Sequence, residues 1–501
     1  MIDDEELEQR TYRLLNEAAH VYRGIPPAAA LLRSTLDRLA DPLRLAVAGP
    51  AQAGKSTLVN ALIGEELAPV ELPGDPLASV AYRDGTEPRA WWQDGHGAPY
   101  EIPMVRAESG LRLTPDARHT GRPNAAGPGG ARRAAIEWPS RVLRRTELID
   151  THLPLPQVFE TADAVLYVTP HLGDADLQAL QAARGVRGPS VFPVHTMIVL
   201  SRADATGGGR TDALLTAKQA ARRRRREPRV GALSQDVLAV SPLIAAAART
   251  LRDDEFQAIA TMAALPRASS EPHLLSTDRF TAADALRPVG AQQRAQLLQR
   301  FGLGGIRLAI TLTRTGCDNP AVLGERLQEH SGLKDLQASI AELFTARRAA
   351  LRARSALTAL DHLLRTQQVP PAAHLLADLE LLVADAHEFR ELRLLAALRS
   401  GRVNLPREHA IDARRLLGGS GTSVGERLGM SPDATADDTW TEAHAAAERW
   451  RDQTHGRTLL PAQRRAAEVV LRSCDMILAR LDRMSAPAAP IRFADPASPY
   501  A

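Results

Sequence analysis

The chain has 501 residues, 44% of them hydrophobic, a formal net charge of +3 and two cysteines. That length and composition predict two or three domains around a substantial core and exclude global disorder. Cys317 and Cys474 are too few for a disulfide framework or a cysteine metal cluster, the near-neutral charge gives no nucleic-acid signal, and no run of 18 uncharged apolar residues is present to span a bilayer.

The first ten residues, MIDDEELEQR, are acidic with no apolar stretch behind them, so they do not read as a signal peptide and the expected location is cytoplasmic. Residues 1–41 read as helices. Leu7, Tyr12, Leu14, Leu15, Ala18 and Tyr22 recur at helical spacing, IPP breaks the run, and AAALLRSTLDRLAD follows. These two helices are too short to cover themselves and are expected to join a larger helical bundle.

From 42 to 247 short apolar runs alternate with helical stretches: LRLAVAG, ELID, DAVLYVT, HTMIVLS and VLAVS. Continuous apolar strands separated by helices predict a mostly parallel sheet with helices on both faces. Residues 107–134, rich in Gly, Pro and Arg, read as a mobile insertion, with a partner or acidic-surface contact as the alternative. The run ARRRRRE at 221–227 reads as a solvated helix face, with anionic lipid or a partner as the alternative. After 248 the strand signals stop, and 248–484 reads as long amphipathic helices forming an all-α bundle with the N-terminal segment. The tail 485–501 is expected to be disordered.

Gly49-x-x-x-x-Gly54-Lys55-Ser56 follows an apolar strand and opens the helical stretch STLVNALIG, the context a phosphate-binding loop requires. Its backbone amides and the helix N-terminus would face phosphate oxygens. The candidate contacts are Gly49, Gln52, Ala53, Gly54, Lys55, Ser56 and Thr57. Lys55 would bridge the β- and γ-phosphates and the Ser56 hydroxyl would ligate Mg²⁺. Lysine occurs only at 55, 218 and 334 in a chain otherwise using arginine. A compact ammonium fits inside such a loop where a planar guanidinium does not.

VLSRADA at 199–205 also follows an apolar strand, and it resembles the [NT]KxD guanine-specificity element, with Ser201 for Asn, Arg202 for Lys and Asp204 retained. A carboxylate there can accept from guanine N1–H and its exocyclic amine, which adenine cannot offer. The Arg202 stem would lie along the base plane, and Ser241 in VLAVSPL would present its backbone amide to the guanine oxygen. The expected ligands are therefore GTP or GDP with Mg²⁺.

LAVAGPAQAGKSTLVNALIGEELAP, LID, ADAVLYVT and SRAD together resemble the bacterial dynamin-like GTPases, in their actinobacterial isoniazid-inducible C type. LSTDRF (275–280), RAQLLQRFGLGGIRLAI (294–310), AHEFRELRLLAAL (386–398) and LLGGSGTSVGERLGM (416–430) are similar to the helical region of that type, so the resemblance spans nearly the whole chain. It implies a GTPase head at 42–247 on a helical neck and trunk at 1–41 and 248–484. It also implies pairing through heads in a homo-oligomer or with a longer dynamin-like paralogue, membrane remodelling, peripheral contact with the cytoplasmic membrane, and no nucleic-acid partner.

Two positions depart from that family's pattern. The first switch should supply a metal-binding threonine near LPGDPLAS (72–79), but Pro76 stands at or beside its place, and Ser79 is the hydroxyl available. The second switch, DxxG, reads Asp150-Thr151-His152-Leu153: Asp150 can hold Mg²⁺ through water, whereas Leu153 restricts the turn that aims the glycine amide at the γ-phosphate. His152 is a candidate base that orients water. The expectation is firm nucleotide binding with weakened hydrolysis, since transition-state contacts are affected more than the ground-state grip. The alternatives are a fully active dynamin-like hydrolase and a translation or ribosome-assembly GTPase.

Overall fold

The computed structural model describes residues 2–71, 77–93, 99–107, 110–114, 133–185, 194–209, 212–455 and 459–485. Pro76, residues 108, 109 and 115–132 of the insertion, and the tail beyond Ser485 lie outside the described residues. The structure divides into two compact units, residues 6–402 and residues 403–501 with 1–5. The division falls inside the segment 248–484 that the sequence reading treats as one bundle.

In the first unit, helices α1 (Ile2–Val21) and α2 (Pro26–Arg38) lead into β1 (Leu43–Ala48) and α3 (Lys55–Ile63). The strands that follow among the described residues are β2 (Val70–Glu71), β3 (Ser79–Asp84), β4 (Arg89–Gln93), β5 (Tyr100–Ile102), β6 (Met104–Ala107), β7 (Gly110–Leu113), β8 (Arg133–Trp138), β9 (Thr146–Thr151), β10 (Ala164–Thr169), β11 (Thr196–Leu200) and β12 (Asp236–Ala239). The main sheet runs β12-β11-β10-β1-β9-β3-β8-β4-β5. Its first five strands are parallel. They coincide with the five apolar runs of the sequence, and every residue of β10 is buried, as a strand covered on both faces requires.

Beyond β9 the sheet changes character. β3 pairs antiparallel to β9, with Val80 opposite Asp150, and parallel to β8. β4 and β5 then continue antiparallel. A separate three-stranded sheet is ordered β2-β7-β6. The ends of segment 107–134 thus form strand β7 and the start of β8, so the segment read as a loop carries pairing at both edges.

Helices 155–161, 174–185 and 213–226 cover one sheet face through Ala48, Val158, Val165, Leu180, Ala217 and Val237. The alternate residues of β1 and β10, Leu45, Val47, Leu166 and Val168, are equally buried on the other face. Helix 242–249 packs along α3 and also belongs to a second core, where Ile244 meets Phe256, Phe280, Phe301, Ile306 and Leu323 from helical segments 253–329. This shared core seats the helices beside the sheet. Farther along, the Tyr22 hydroxyl donates to the Gln367 carbonyl at 2.6 Å, and Arg352 pairs with Glu8 at 3.0 Å, which fastens α1 and the loop after it to helix 348–366.

The second unit contains helices 407–416, 424–428, 436–455 and 461–485. The last two lie along one another. Trp450 is buried there and donates its indole N–H to Asp412 at 2.8 Å, while the buried Arg427 donates to the Leu416 carbonyl at 2.7 Å.

Candidate functional site

The loop between β1 and α3 is shaped by two glycines. Gly49 has φ +143°, and a Cβ there would run into the Val168 carbonyl of β10, so the loop lies against the neighbouring strand as only glycine permits. Gly54 has φ +88° and delivers the chain into α3. Lys55 is only 5% exposed and donates through Nζ to the carbonyls of Gly49 and Pro50 at 3.1 and 3.0 Å. Its ammonium therefore sits at the centre of the loop. Burial lowers its pKa, opposed by the field of Asp150.

Asp150, the penultimate residue of β9, lies directly beside Val47 of β1. Its Oδ2 accepts from the Ser56 hydroxyl at 2.5 Å, whereas its buried Oδ1 has no hydrogen-bond partner among the described residues. Burial raises the carboxyl pKa, and the Ser56 hydrogen bond, then His152 and Lys55, oppose that shift. A buried carboxylate oxygen without a partner beside a serine hydroxyl is a donor set suited to a hard cation that draws its remaining ligands from phosphate and water. Mg²⁺ fits these residues. Among the described residues no cluster of three His, Cys, Asp or Glu could hold a metal by itself.

The second switch folds back onto the sheet. The His152 amide donates to the Ala78 carbonyl at 2.9 Å, and the Leu153 amide donates to the Thr151 hydroxyl at 3.1 Å. Leu153 packs with Ala46, Ala48 and Val158, and Pro154 then starts helix 155–161. Ser79 is buried as the first residue of β3, paired with Thr151 and Arg133 in the ladder.

The SRAD turn follows β11 and is held by the Ser201 amide on the Thr169 carbonyl at 3.0 Å and the Ala203 amide on Val240 at 3.3 Å. Asp204 accepts from the Ser241 hydroxyl at 2.7 Å. The Ser241 amide, expected to face the base, donates to the Ser331 carbonyl at 2.8 Å instead. The Ser201 hydroxyl is buried without a partner among the described residues.

A cavity of about 580 Å³ joins these parts, and it is lined by Gln52, Ala53, Gly54 and Thr57 from the loop and by Ser201, Arg202 and Asp204 from the turn. That size suits a small-molecule ligand. The phosphate cradle and the SRAD carboxylate, 150 residues apart in sequence, thus open on one space. Leu275, Thr277, Leu303, Gly304 and Arg307 also line it. Sequence reasoning did not place these five here, and the signal available was the glycine cluster inside RFGLGGIR, whose first member, Gly302, interrupts an otherwise helical pattern.

No protein-family model matches the chain. Two proteins named isoniazid-induced protein IniC, from Mycobacterium tuberculosis strains CDC 1551 / Oshkosh and ATCC 25618 / H37Rv, are each 35% identical to it over 492 residues, covering 94% of this chain and 98% of theirs. The chain belongs to the family of the isoniazid-induced protein IniC. Two solved chains from work on an oligomerised bacterial dynamin pair, described as providing a mechanism for long-range sensing and tethering of membranes, align at 12% identity with TM-scores of 0.28 and 0.29. They cover 97% and 96% of this chain and 75% and 80% of their own.

Proposed function

We propose that the chain binds guanine nucleotide with Mg²⁺, hydrolyses it slowly, and works as the less active member of a dynamin-like pair at a membrane. The observation that carries this reading is the shared cavity: phosphate-loop residues Gln52, Ala53, Gly54 and Thr57 at one side and Asp204 at the other, with a Ser201 hydroxyl that is buried without a partner among the described residues. Gly49, Lys55 and Ser56 with the amides of Gln52, Ala53, Gly54 and Thr57 hold the phosphates. Lys55 gives up two carbonyl bonds to do so. Asp204, oriented by Ser241, reads the guanine edge, and the Arg202 stem lies along the ring. Ser56 directly, and Asp150 through water, hold the cation, which when bound neutralises charge on the phosphate oxygens.

Slow hydrolysis follows from the second switch. Its candidate γ-phosphate donor, the amide of Leu153, is engaged with the Thr151 hydroxyl. A missing electrostatic contact to a transferring group costs about 2.7–4 kcal/mol of barrier, a rate loss of roughly a hundred- to a thousandfold. The ground-state grip is untouched by that loss.

Membrane action and pairing with a longer dynamin-like partner are supported by family membership. No described helix is long and apolar enough to cross a membrane, so the contact proposed is peripheral. The deciding measurement is Mg²⁺–GTP affinity with single-turnover hydrolysis, alone and with liposomes. Tight binding with near-background rates is expected. Turnover within minutes that Lys55→Ala abolishes would establish an active hydrolase instead, a preference for ATP would remove the role given to Asp204, and stable co-sedimentation with ribosomes would contradict the dynamin-like reading.

A further inference from the structure

We infer that the helical segment 275–307 supplies one wall of the base pocket, so that affinity for the nucleotide depends on residues outside the GTPase motifs. This rests on the reading of the cavity as the guanine-nucleotide site. The argument begins with helix 291–314, which breaks at Gly302, where φ is +67° and ψ +165°. The break lets the next turn lie against the SRAD turn. A Cβ on Gly304 would stand 2.7 Å from the Asp204 carbonyl oxygen, closer than any real side chain tolerates, so the backbone of the helix touches the backbone of the specificity turn.

Arg307, one turn later, fixes that contact. Its Nε donates to the Leu274 carbonyl at 2.6 Å, its Nη1 to Gly208 and Gly209 at 3.0 Å each, and its Nη2 to Leu275 at 3.2 Å. One guanidinium thereby ties the loop after Asp204 to the segment that carries Leu275. It is a positioning residue, since its donors are committed to four carbonyls. Behind the wall, the buried Arg294 donates to Phe280 at 2.9 Å, to Ala282 at 2.6 Å and to Val289, holding segment 280–289 in place. The wall is thus preorganised, which spares the ordering cost on binding.

Its chemistry suits a purine. Leu243 and Leu303 line the cavity beside Asp204, and Leu275 stands at the same cavity while 63% exposed. A large apolar side chain left in water at the edge of a site gains by covering an aromatic ring. Leu275 and Leu303 cover one face of the base, Asp204 reads its edge, and the phosphates stay with the loop at Gln52–Thr57.

The test uses the full chain with Mg²⁺, N-methylanthraniloyl-GDP and the corresponding ADP as fluorescent ligands, and inorganic pyrophosphate as a competitor with no base. Leu275→Ser is expected to weaken GDP binding about five- to tenfold, the effect of losing partial burial of a leucine. Arg307→Ala is expected to do at least as much, without rescue by Arg307→Lys, because an ammonium cannot reproduce the planar fork. Pyrophosphate competition is expected to stay at the parent value in all three variants. Equal GDP affinity in the parent and Leu275→Ser overturns the inference, and so does parallel weakening of GDP and pyrophosphate. If the parent holds neither GDP nor ADP, the nucleotide reading itself fails and this wall with it. If the parent holds ADP as well as GDP, the role of Asp204 falls, and the wall is judged by whether Leu275→Ser weakens both while sparing pyrophosphate.

Discussion

Leu153 occupies the position where the family pattern has glycine, and its amide is bonded to the Thr151 hydroxyl at 3.1 Å. A glycine there could turn the amide toward a phosphate, whereas the leucine side chain is held among Ala46, Ala48 and Val158. Leu153→Gly is therefore expected to raise single-turnover GTP hydrolysis by about tenfold or more while leaving the dissociation constant within about threefold, because the contact restored is made in the transition state. Rapid-quench kinetics at saturating protein would show it, and an unchanged rate would contradict the assignment of slow turnover to this switch. Lys55→Ala is expected to weaken nucleotide binding at least about a hundredfold, since it removes a buried cation from a polyanion, as read by equilibrium titration. At this scale the placement of Lys55 after β1, Asp150 in β9 and Asp204 after β11 could be read, Lys55 from its loop motif and the two aspartates from the family elements they resemble. The bond from the Ser241 amide to the Ser331 carbonyl was not, because its partner stands 90 residues away with no motif to announce it.

Among the elements, the five parallel strands could be read because each is a continuous apolar run. Strands β2 to β8 escaped because they are short and partly exposed, and their partners are set by topology: β8 needs β3, with Arg133 paired to the distant Ser79. The arginine run shows the same limit. Arg225 pairs with the buried Asp236 at 2.9 Å and Arg224 with Glu227, so part of what reads as a solvated face is structural. A comparable tie joins the exit of α3 to the helices: Arg300 meets both Glu66 and Glu255, Arg252 reaches Glu66 at 3.3 Å, and burial raises the Glu255 pKa. Removing one partner of so enclosed a network leaves charge without compensation. Arg300→Ala is expected to cost about 3 kcal/mol in urea denaturation, whereas an exposed pair such as Arg287 with Asp284 should give about 0.5 kcal/mol or less.

For the whole molecule, the boundary after Arg402 is the feature composition did not announce, because helices on both sides share the same Ala-, Leu- and Arg-rich pattern. A chain ending at Arg402 keeps every cavity-lining residue and should bind GDP within about twofold of the full chain, a difference of roughly 0.4 kcal/mol at most. Loss of binding in that truncation would mean the second unit contributes to the site. The cysteines offer a check on native packing. Both are buried, and burial pushes the Cys474 thiol up to about 12, so little thiolate is available at pH 8. A disulfide reagent should modify neither until the chain is unfolded, and fast native labelling would contradict the packing. Asp236, fully buried at the start of β12, takes Arg225 from helix 213–226 at 2.9 Å and Arg399 from helix 387–400 at 3.6 Å. Neither arginine can leave without stranding a charge in the interior, so the sheet and the helices up to residue 402 share one melting event, and calorimetry of that unit should record a single cooperative transition in which no helical layer peels away first.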